Sequence, residues 1–499
     1  MIRKLQLPLQ TMSLVAGFMV WVILSSLMPF IKEDLGLAPG DIAWITAIPV
    51  LLGSILRIPI GYWTNRYGAK RVFSISFFLL LIPIFLVSQA DTTLMLMAGG
   101  LFLGIGGAIF SVGVTSLPKY YPKEKHGAIN GIYGAGNIGT AISTFFAPVI
   151  AKQIGWSATV QLYLVLVVVF GALNLMFGDK NEPKVTAPLG QQIKSVYKNQ
   201  KLWFLSLFYF VTFGSFVAFT VYLPNFLVTH FELDKVDAGM RTAGFILLAT
   251  LARPIGGWLG DKMNPFRVLM MVFAGLTLGG ILLAFSPAIT LYTIGCLLIA
   301  LCAGIGNGAV FKLVPLYFSK QAGIVNGIVS AMGGLGGFFP PLVLTALFKM
   351  TGHYAIGFMA LSQFALCCFI IVIWMYFQDK LVLANNVMEN TGEAILITDT
   401  QGVITYVNPA FKRITGFEDT DVIGNRPSVM QSGKQGKEFY EQMWKELIEN
   451  GYWEGQIWNR RKNQELFLEW LTISAIRDEA GDVKYYAGMF SDISKAQRA

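Results

Sequence analysis

The sequence predicts an all-α polytopic membrane protein of twelve transmembrane helices, arranged as two six-helix pseudo-symmetric halves, followed by a C-terminal α+β domain. Three observations carry this. Only 13% of the 499 residues are charged and 54% are hydrophobic, whereas a soluble domain carries about 25% charged residues. Apolar runs follow one another along the chain, each long enough at about 1.5 Å per residue to cross a hydrocarbon core. After Tyr376 the charge density rises, and the apolar residues fall into short alternating runs.

In order, the spans are predicted at 11–31, 42–62, 72–89, 93–115, 127–150, 159–177, 202–228, 239–259, 267–286, 289–311, 322–347 and 354–376. They are read as helices because lipid offers loose backbone groups no partner. The first run is not read as a cleaved signal peptide: it is long, lacks a small-residue cleavage pattern and precedes eleven more. The four cysteines, Cys296, Cys302, Cys367 and Cys368, fall inside spans and read as buried small apolar residues. None remains for a disulfide, zinc or iron–sulfur site in the C-terminal domain.

The net charge of +9 reads as topology rather than as a nucleic-acid surface. One set of loops holds Arg66, Lys70, Arg71, Lys119, Lys123, Lys125, Lys180, Lys184, Lys194, Lys198, Lys201, Lys262, Arg267, Lys312 and Lys320. The other set holds little beyond Lys32, Lys152, Lys235, Arg241 and Lys349. The positive-inside rule makes the first set cytoplasmic. Twelve spans then place both termini in the cytoplasm and the protein in the inner (plasma) membrane, with the bilayer as its partner and no nucleic acid.

The spans contain an internal repeat at an offset of about 196–200 residues. Arg57 to Trp63 (RIPIGYW) answers Arg253 to Trp258 (RPIGGW). Gly104 to Phe110 (GIGGAIF) answers Gly304 to Phe311 (GIGNGAVF). Pro118 to Gly131 (PKYYPKEKHGAING) answers Pro315 to Gly327 (PLYFSKQAGIVNG). Three matches in one order mark two six-helix halves related by an axis along the membrane normal, an arrangement of the major facilitator superfamily. The expected organisation is an N-terminal half at 1–178, a cytoplasmic linker at 179–201, a C-terminal half at 202–378, a short linker at 379–387 and the soluble domain at 388–499. The loop signature Gly61, Arg66, Gly68 and Arg71 resembles that superfamily's motif between helices two and three, with Asn65 where an acid is usual. Its copy at Gly257 keeps the acid as Asp261. Both copies are expected to latch one face through charge and backbone contacts.

Two residues speak to a substrate. Arg57 and Arg253 lie inside apolar spans, and no Asp or Glu lies deep in any span to pair with them. An arginine at a helix centre costs at least ~2.5–3.5 kcal/mol, so it faces the bundle interior. A pair at equivalent positions of two halves describes a central anion site. The guanidinium fork suits a flat oxyanion. The glycines Gly104, Gly106, Gly134 and Gly136, answered by Gly304, Gly306, Gly333 and Gly334, are expected to let helices approach closely or slide.

Together these stretches, over about residues 8–378, resemble the nitrate/nitrite porter family of the major facilitator superfamily. The pattern from Tyr209 to Phe216 (YFVTFGSF) is similar to that family's seventh span. The resemblance implies that Arg57 and Arg253 grip nitrate or nitrite from opposite halves, that Asn137 and Tyr209 complete its hydrogen bonds, and that Phe110 and Phe213 wall it. It implies alternating-access transport without catalytic residues, metal or a cofactor for transport. The three histidines, His126, His230 and His353, lie at loops or span ends. The lack of a membrane carboxylate leans toward nitrate/nitrite exchange over proton symport. Two rivals stand beside this reading: a carrier of another small anion such as a carboxylate or cyanate, and a receptor that reports nitrate to the C-terminal domain. No nucleophile–base pair, metal cluster or phosphate loop marks an enzyme.

The tail alternates strands and short helices: 394–407 as two strands, 408–449 mostly helical, then strands near 453–462, 466–473 and 483–490. It resembles a PAS domain. The run Trp453 to Lys462 (WEGQIWNRRK) looks like that of flavin-binding redox-sensing PAS domains, making Trp453 and Asn459 ligand candidates and FAD a candidate cofactor. An empty or small-ligand PAS domain is the alternative. The domain has no histidine for a haem and no cysteine for light-driven flavin chemistry. With no output segment visible after it, the PAS domain is expected to contact the transporter itself or a partner protein.

Overall fold

A computed structural model describes the chain except residues 1, 38, 185–186, 234, 286–287, 320, 479 and 495–499. Lys320 of the basic loops therefore lies outside the described residues. The chain divides into two units, residues 1–374 and 375–499.

Among the described residues, twelve helices of the first unit and its boundary are long and apolar enough to cross a membrane. They run Leu5–Leu35, Trp44–Tyr67, Ala69–Ser88, Thr93–Tyr120, Lys123–Ile154, Trp156–Phe177, Gln200–Leu223, Asp237–Lys262, Pro265–Ala284, Ile289–Tyr317, Ala322–Phe339 and Ala355–Asn390. Several outrun their predicted bounds because a helix continues through polar residues once its backbone bonds are propagating. The last is the largest departure. It is unbroken from Ala355 to Asn390, so the segment 379–387 expected as a linker is helical. Large apolar side chains such as Ile82, Leu94 and Met176 are exposed on the outside of the unit, as lipid contact requires. Cys296, Cys302 and Cys368 are buried, but Cys367 is exposed, so the expectation of four buried cysteines fails at that one.

The helices that will matter most are interrupted in the first half. The second span breaks at Leu56, the fourth at Ile109, and the fifth passes through a 3-10 turn at Ala135–Asn137. The residues at these points keep helical φ but a flattened ψ of −16°, −13° and −12° at Leu56, Ile109 and Ala135. Such values are those of 3-10 rather than α winding. Pro59 removes the N–H that would bond Ile55, and glycines crowd the other two breaks. The corresponding helices of the second half, Lys235–Lys262, Ile289–Tyr317 and Ala322–Thr351, are continuous.

The second unit holds a five-stranded antiparallel sheet in the order β2-β1-β5-β4-β3. Its strands are β1 Ala394–Thr398, β2 Ile404–Val407, β3 Tyr452–Arg460, β4 Leu466–Arg477 and β5 Val483–Asp492. Between β2 and β3 lie short helices and the helix Lys437–Asn450. Asn408 starts the first of these as an N-cap, its Oδ1 accepting from Phe411 N at 2.9 Å. The end of the long helix is fastened to the sheet by Tyr406 Oη donating to Glu389 Oε1 at 2.9 Å and Asn408 Nδ2 donating to the Met388 carbonyl at 3.0 Å. One face of the sheet packs Ala394, Phe411, Leu447, Ile457 and Phe467 into a core.

Candidate anion-binding site

The breaks at Leu56 and Ile109 are each followed at once by a site residue, Arg57 and Phe110, and the 3-10 turn ends on Asn137. A loosened turn can aim a side chain inward without ending the helix. Arg57 and Arg253 are 0% and 1% exposed, the two largest fully buried side chains among the described residues. They come from opposite halves and meet over the same ring. The Arg57 Cζ lies 5.2 Å from the Phe110 centroid and 5.0 Å from that of Phe213. The Arg253 Cζ lies 4.9 Å and 5.8 Å from the same two centroids. Cation–π attraction of ~0.5–2 kcal/mol per contact offsets part of the desolvation of each guanidinium.

Hydrogen bonds fix the two forks. Arg57 Nε donates to the Gly107 carbonyl at 3.3 Å and Nη1 to the Ser330 carbonyl of the other half at 2.7 Å. Its Nη2 is buried with no hydrogen-bond partner among the described residues. Arg253 Nη2 donates to Tyr209 Oη at 2.9 Å. Tyr209 and Phe213 stack at 5.0 Å and 8°, and Phe110 lies within 20° of both planes. The result is an aromatic slot edged by two cations. Asn137 is buried at the turn, three residues after Gly134, and its carbonyl accepts from Thr140.

The glycines divide into three groups. At Gly104, Gly106 and Gly304 an added Cβ would meet the backbone of a neighbouring helix, at Pro49, Gly17 and Ala249, so these are close crossings as expected. Gly136, Gly306 and Gly334 meet the side chains of Leu14, Thr212 and Ser54. Gly134 and Gly333 are different: a Cβ there would lie 2.0 Å from Arg253 Nε and 2.2 Å from Tyr209 Cδ1. Read from sequence as packing residues, they form the floor on which the site's side chains lie.

Sequence reasoning missed three neighbours. Tyr133 stacks on Phe110 at 5.8 Å, and Phe311 packs against Phe110 at 5.7 Å and Tyr209 at 4.8 Å. Ser330 accepts from Arg57 and shares a hydrogen bond of 3.0 Å with Ser111 across the halves. Phe311 had a signal, since it is the repeat partner of Phe110. Tyr133 and Ser330 had none.

The loop motif forms one charged latch rather than two. Asp261 accepts from Gly127 N at 3.1 Å and Ala128 N at 2.7 Å, at the start of a helical turn of the other half. Lys312 Nζ lies 2.6 Å from the same carboxylate. Gly257 makes the crossing possible, because a Cβ there would meet the Gly127 carbonyl at 2.1 Å. In the first copy, Gly61 crosses Gly323 and the neutral Asn65 lies against that same glycine. Gly68 ends its helix at φ +87°, a value that favours glycine. Arg66 bonds Tyr62 of its own helix, and Arg71 is exposed. Among the described residues, neither arginine makes a hydrogen bond or ion pair to the other half. On the other side of the anion site a cavity of about 20 Å³ remains between the halves, lined by Trp21, Thr46, Thr140, Phe216 and Thr220.

The comparisons with known proteins bear on the family and the fold. The Major Facilitator Superfamily model matches residues 11–341 and, overlapping it, 227–415, and a PAS domain model matches 392–495. The nitrite extrusion protein of Bacillus subtilis is 67% identical over 379 residues, covering 76% of this chain and 96% of that protein. The chain belongs to the nitrate/nitrite porter family of the major facilitator superfamily. The porter is also 58% identical over 377 residues to the probable nitrate transporter NarT of Staphylococcus epidermidis, covering 76% of this chain and 97% of that one. The crystal structure of the human organic anion transporter MFSD10 matches the porter's fold at 13% identity with a TM-score of 0.63, over 74% of this chain and 99% of that one.

In the PAS domain the two ligand candidates separate. A cavity of about 720 Å³ lies on the inner face of the sheet, and Asn459 lines it. Trp453 does not. It faces the same side of β3 but is covered by the helix Lys437–Asn450, with its ring edge-on to Phe439 at 6.0 Å, and belongs to the core.

Proposed function

We propose that the porter carries nitrate and nitrite across the plasma membrane by alternating access, with the anion held between Arg57 and Arg253. One observation supports this above the rest: two fully buried guanidiniums, one from each half, lie over the same Phe110 ring. Two positive charges in a low-dielectric slot attract one small anion strongly. The near-parallel planes of Phe110, Tyr209 and Phe213 favour a flat ion over a tetrahedral one of equal charge. Tyr209 and Asn137 supply neutral hydrogen bonds. An ion that touches arginines of both halves favours their closure, and the latch at Asp261 then sets which face opens. The names of the Bacillus and Staphylococcus relatives, a nitrite extrusion protein and a probable nitrate transporter, support the same two anions.

In this reading the porter is a carrier and not an enzyme, its termini and PAS domain are cytoplasmic, and the PAS domain modulates flux. Nitrate flux into proteoliposomes, with and without internal nitrite, tests the transport. Saturable flux that Arg57→Lys and Arg253→Lys remove is expected. Flux of formate or cyanate at equal rate, with no nitrate flux, would overturn the substrate. Removing 385–499 tests the modulation, which fails if flux and its response to pH or redox conditions are unchanged.

A further inference from the structure

Between the anion site and the latch at Asp261 lies a second tier of buried polar side chains that the grip does not use. Thr115, Asn130 and Asn326 come from the fourth, fifth and eleventh spans, and each is at most 5% exposed. Each keeps an oxygen with no hydrogen-bond partner among the described residues: Thr115 Oγ1, Asn130 Oδ1 and Asn326 Oδ1. Gln10 of the first span borders them. Its Nε2 donates to Ser116 Oγ at 3.1 Å, and its Oε1 is likewise unpaired. Buried hydroxyls elsewhere in the bundle are satisfied locally: Thr64, Thr212 and Ser215 each donate to the carbonyl four residues earlier. A buried polar group without a partner destabilises the state that holds it. Several at one level point to an occupant in another state of the transport cycle.

Helical register aims the three along the path away from the site, because residues three or four apart share a helix face. Asn130, Tyr133 and Asn137 form one such series, and Tyr133 stacks on Phe110. Asn326, Ser330 and Gly333 form another, in which Ser330 accepts from Arg57 and Gly333 lies against Tyr209. Thr115 stands one turn beyond Ser111, which bonds Ser330 across the halves. At about 1.5 Å per residue the tier is about 6–10 Å from the anion site. Asn130 and Asn326 are also repeat partners, each just before the last glycine of its matched segment. Like the arginine pair, they come one from each half. In this structure the tier is shut, since Asn326 Nδ2 donates to the Val114 carbonyl of the other half at 2.8 Å.

We propose that Thr115, Asn130 and Asn326 form a release site, a set of neutral hydrogen-bond donors that receives the small oxyanion as it leaves the two arginines toward the latched face. The proposal rests on the reading that Arg57 and Arg253 hold the anion. An anion that leaves two guanidiniums loses its charge-assisted hydrogen bonds. Hydroxyl and amide donors replace part of that interaction without charge, so the anion is bound firmly enough to move on and weakly enough to depart. When the halves part on this face, Asn326 gives up the Val114 carbonyl and its N–H groups turn to the anion. A half-turn of the Asn130 amide presents N–H groups in place of its oxygen, and the Thr115 O–H has no carbonyl to give up.

The test uses the purified full chain. Nitrate affinity is read from the nitrate-induced rise in melting temperature in detergent. The rate is the uptake of isotopically labelled nitrate at saturation into proteoliposomes loaded with unlabelled nitrate. Thr115→Val and Asn130→Leu remove the donors at similar volume. Each should keep nitrate affinity within about twofold and slow the saturated rate about 2- to 12-fold, the rate equivalent of one neutral hydrogen bond. Thr115→Ser, which keeps the hydroxyl and loses the methyl, should run at the wild-type rate, a result that a packing role would not give. Wild-type saturated rates in Thr115→Val and Asn130→Leu overturn the release site and leave the arginine grip standing. Affinity that falls in step with rate also overturns it, because the residues then act through the grip. A Thr115→Ser variant as slow as Thr115→Val overturns the donor role. No saturable nitrate binding or uptake by wild type overturns the grip, and the release site with it.

Discussion

Adding one methyl group at Gly134 separates the anion site from the fold that carries it. The Cβ of Gly134→Ala would lie 2.0 Å from Arg253 Nε, 2.5 Å from Cζ and 2.6 Å from Cδ. Ordinary carbon contacts are about 3.5–4.0 Å, so the guanidinium must retreat by roughly 1.5 Å. The clash falls on the stem of the fork and not on its free end, and Arg253 is fully packed, so the whole head moves. Its hydrogen bond to Tyr209, now 2.9 Å, passes the ~3.5 Å limit. A hydrogen bond to a charged group contributes about 1.5–3 kcal/mol, so KM for nitrate should rise about 10- to 150-fold. Alanine is the better helix former by ~1 kcal/mol, which offsets only part of the lost bond, so a modest fall in thermal stability accompanies the rise in KM. Gly244→Ala, where nothing lies within 4 Å, is the control. The assay is the concentration dependence of nitrate flux in proteoliposomes, with a melting curve on the same preparation. An unchanged KM in a stable Gly134→Ala variant would refute the placement of Arg253 against the fifth span and its role in the grip.

Four further outcomes are expected. Arg57→Lys and Arg253→Lys each abolish most uptake while leaving a folded protein, because lysine keeps the charge and loses the fork; wild-type uptake in either removes that residue from the site. Internal nitrite accelerates nitrate uptake and a pH gradient alone does little; strong uptake on a proton gradient alone would establish symport. Asp261→Asn weakens the charged latch of Gly127, Ala128 and Lys312, so labelling of a cysteine introduced near Lys123 increases in that variant, and unchanged labelling would show the latch to be idle. Glu469 on β4 has its carboxyl raised by burial from 4.5 to about 8, so its contribution to PAS stability is fully present below 4.5 and is lost as pH rises to about 8. The loss is on the order of 5 kcal/mol, so Glu469→Gln should raise the unfolding temperature of the PAS transition at pH 9 far more than at pH 5; equal shifts at both would contradict it.

Arg57 and Arg253 were legible in the sequence because a charge inside an apolar run stands against its background, and the repeat doubled the signal. Tyr133 and Ser330 had no such contrast: an aromatic or small hydroxyl residue in a buried helix looks the same wherever it points. Gly134 and Gly333 were seen as small but not as a floor, because what a glycine makes room for lies on another helix. The bounds of the last helix were misjudged at 379–387 because charge density marks the edge of lipid, while a helix ends only where capping or a breaker ends it. Trp453 and Asn459 share a parity on β3, so both point inward. Alternation cannot tell the covered end of that face from its open end. The Asn65 departure, by contrast, was visible in the sequence, and its result is one charged latch where the superfamily motif allows two.

The buried guanidinium pair also fixes the terms on which any affinity is measured. A guanidinium is a permanent cation, and Arg57 and Arg253 bring two of them to one ring. Such a site is open to whatever anion the medium supplies. Chloride or bicarbonate will compete for it in cells and in buffers, and the apparent affinity for nitrate is then a ratio of two bindings. Assays in chloride and in gluconate should therefore yield different constants for the same protein. The rate of transport in a cell then depends on its background anions as well as on the nitrate and nitrite gradients.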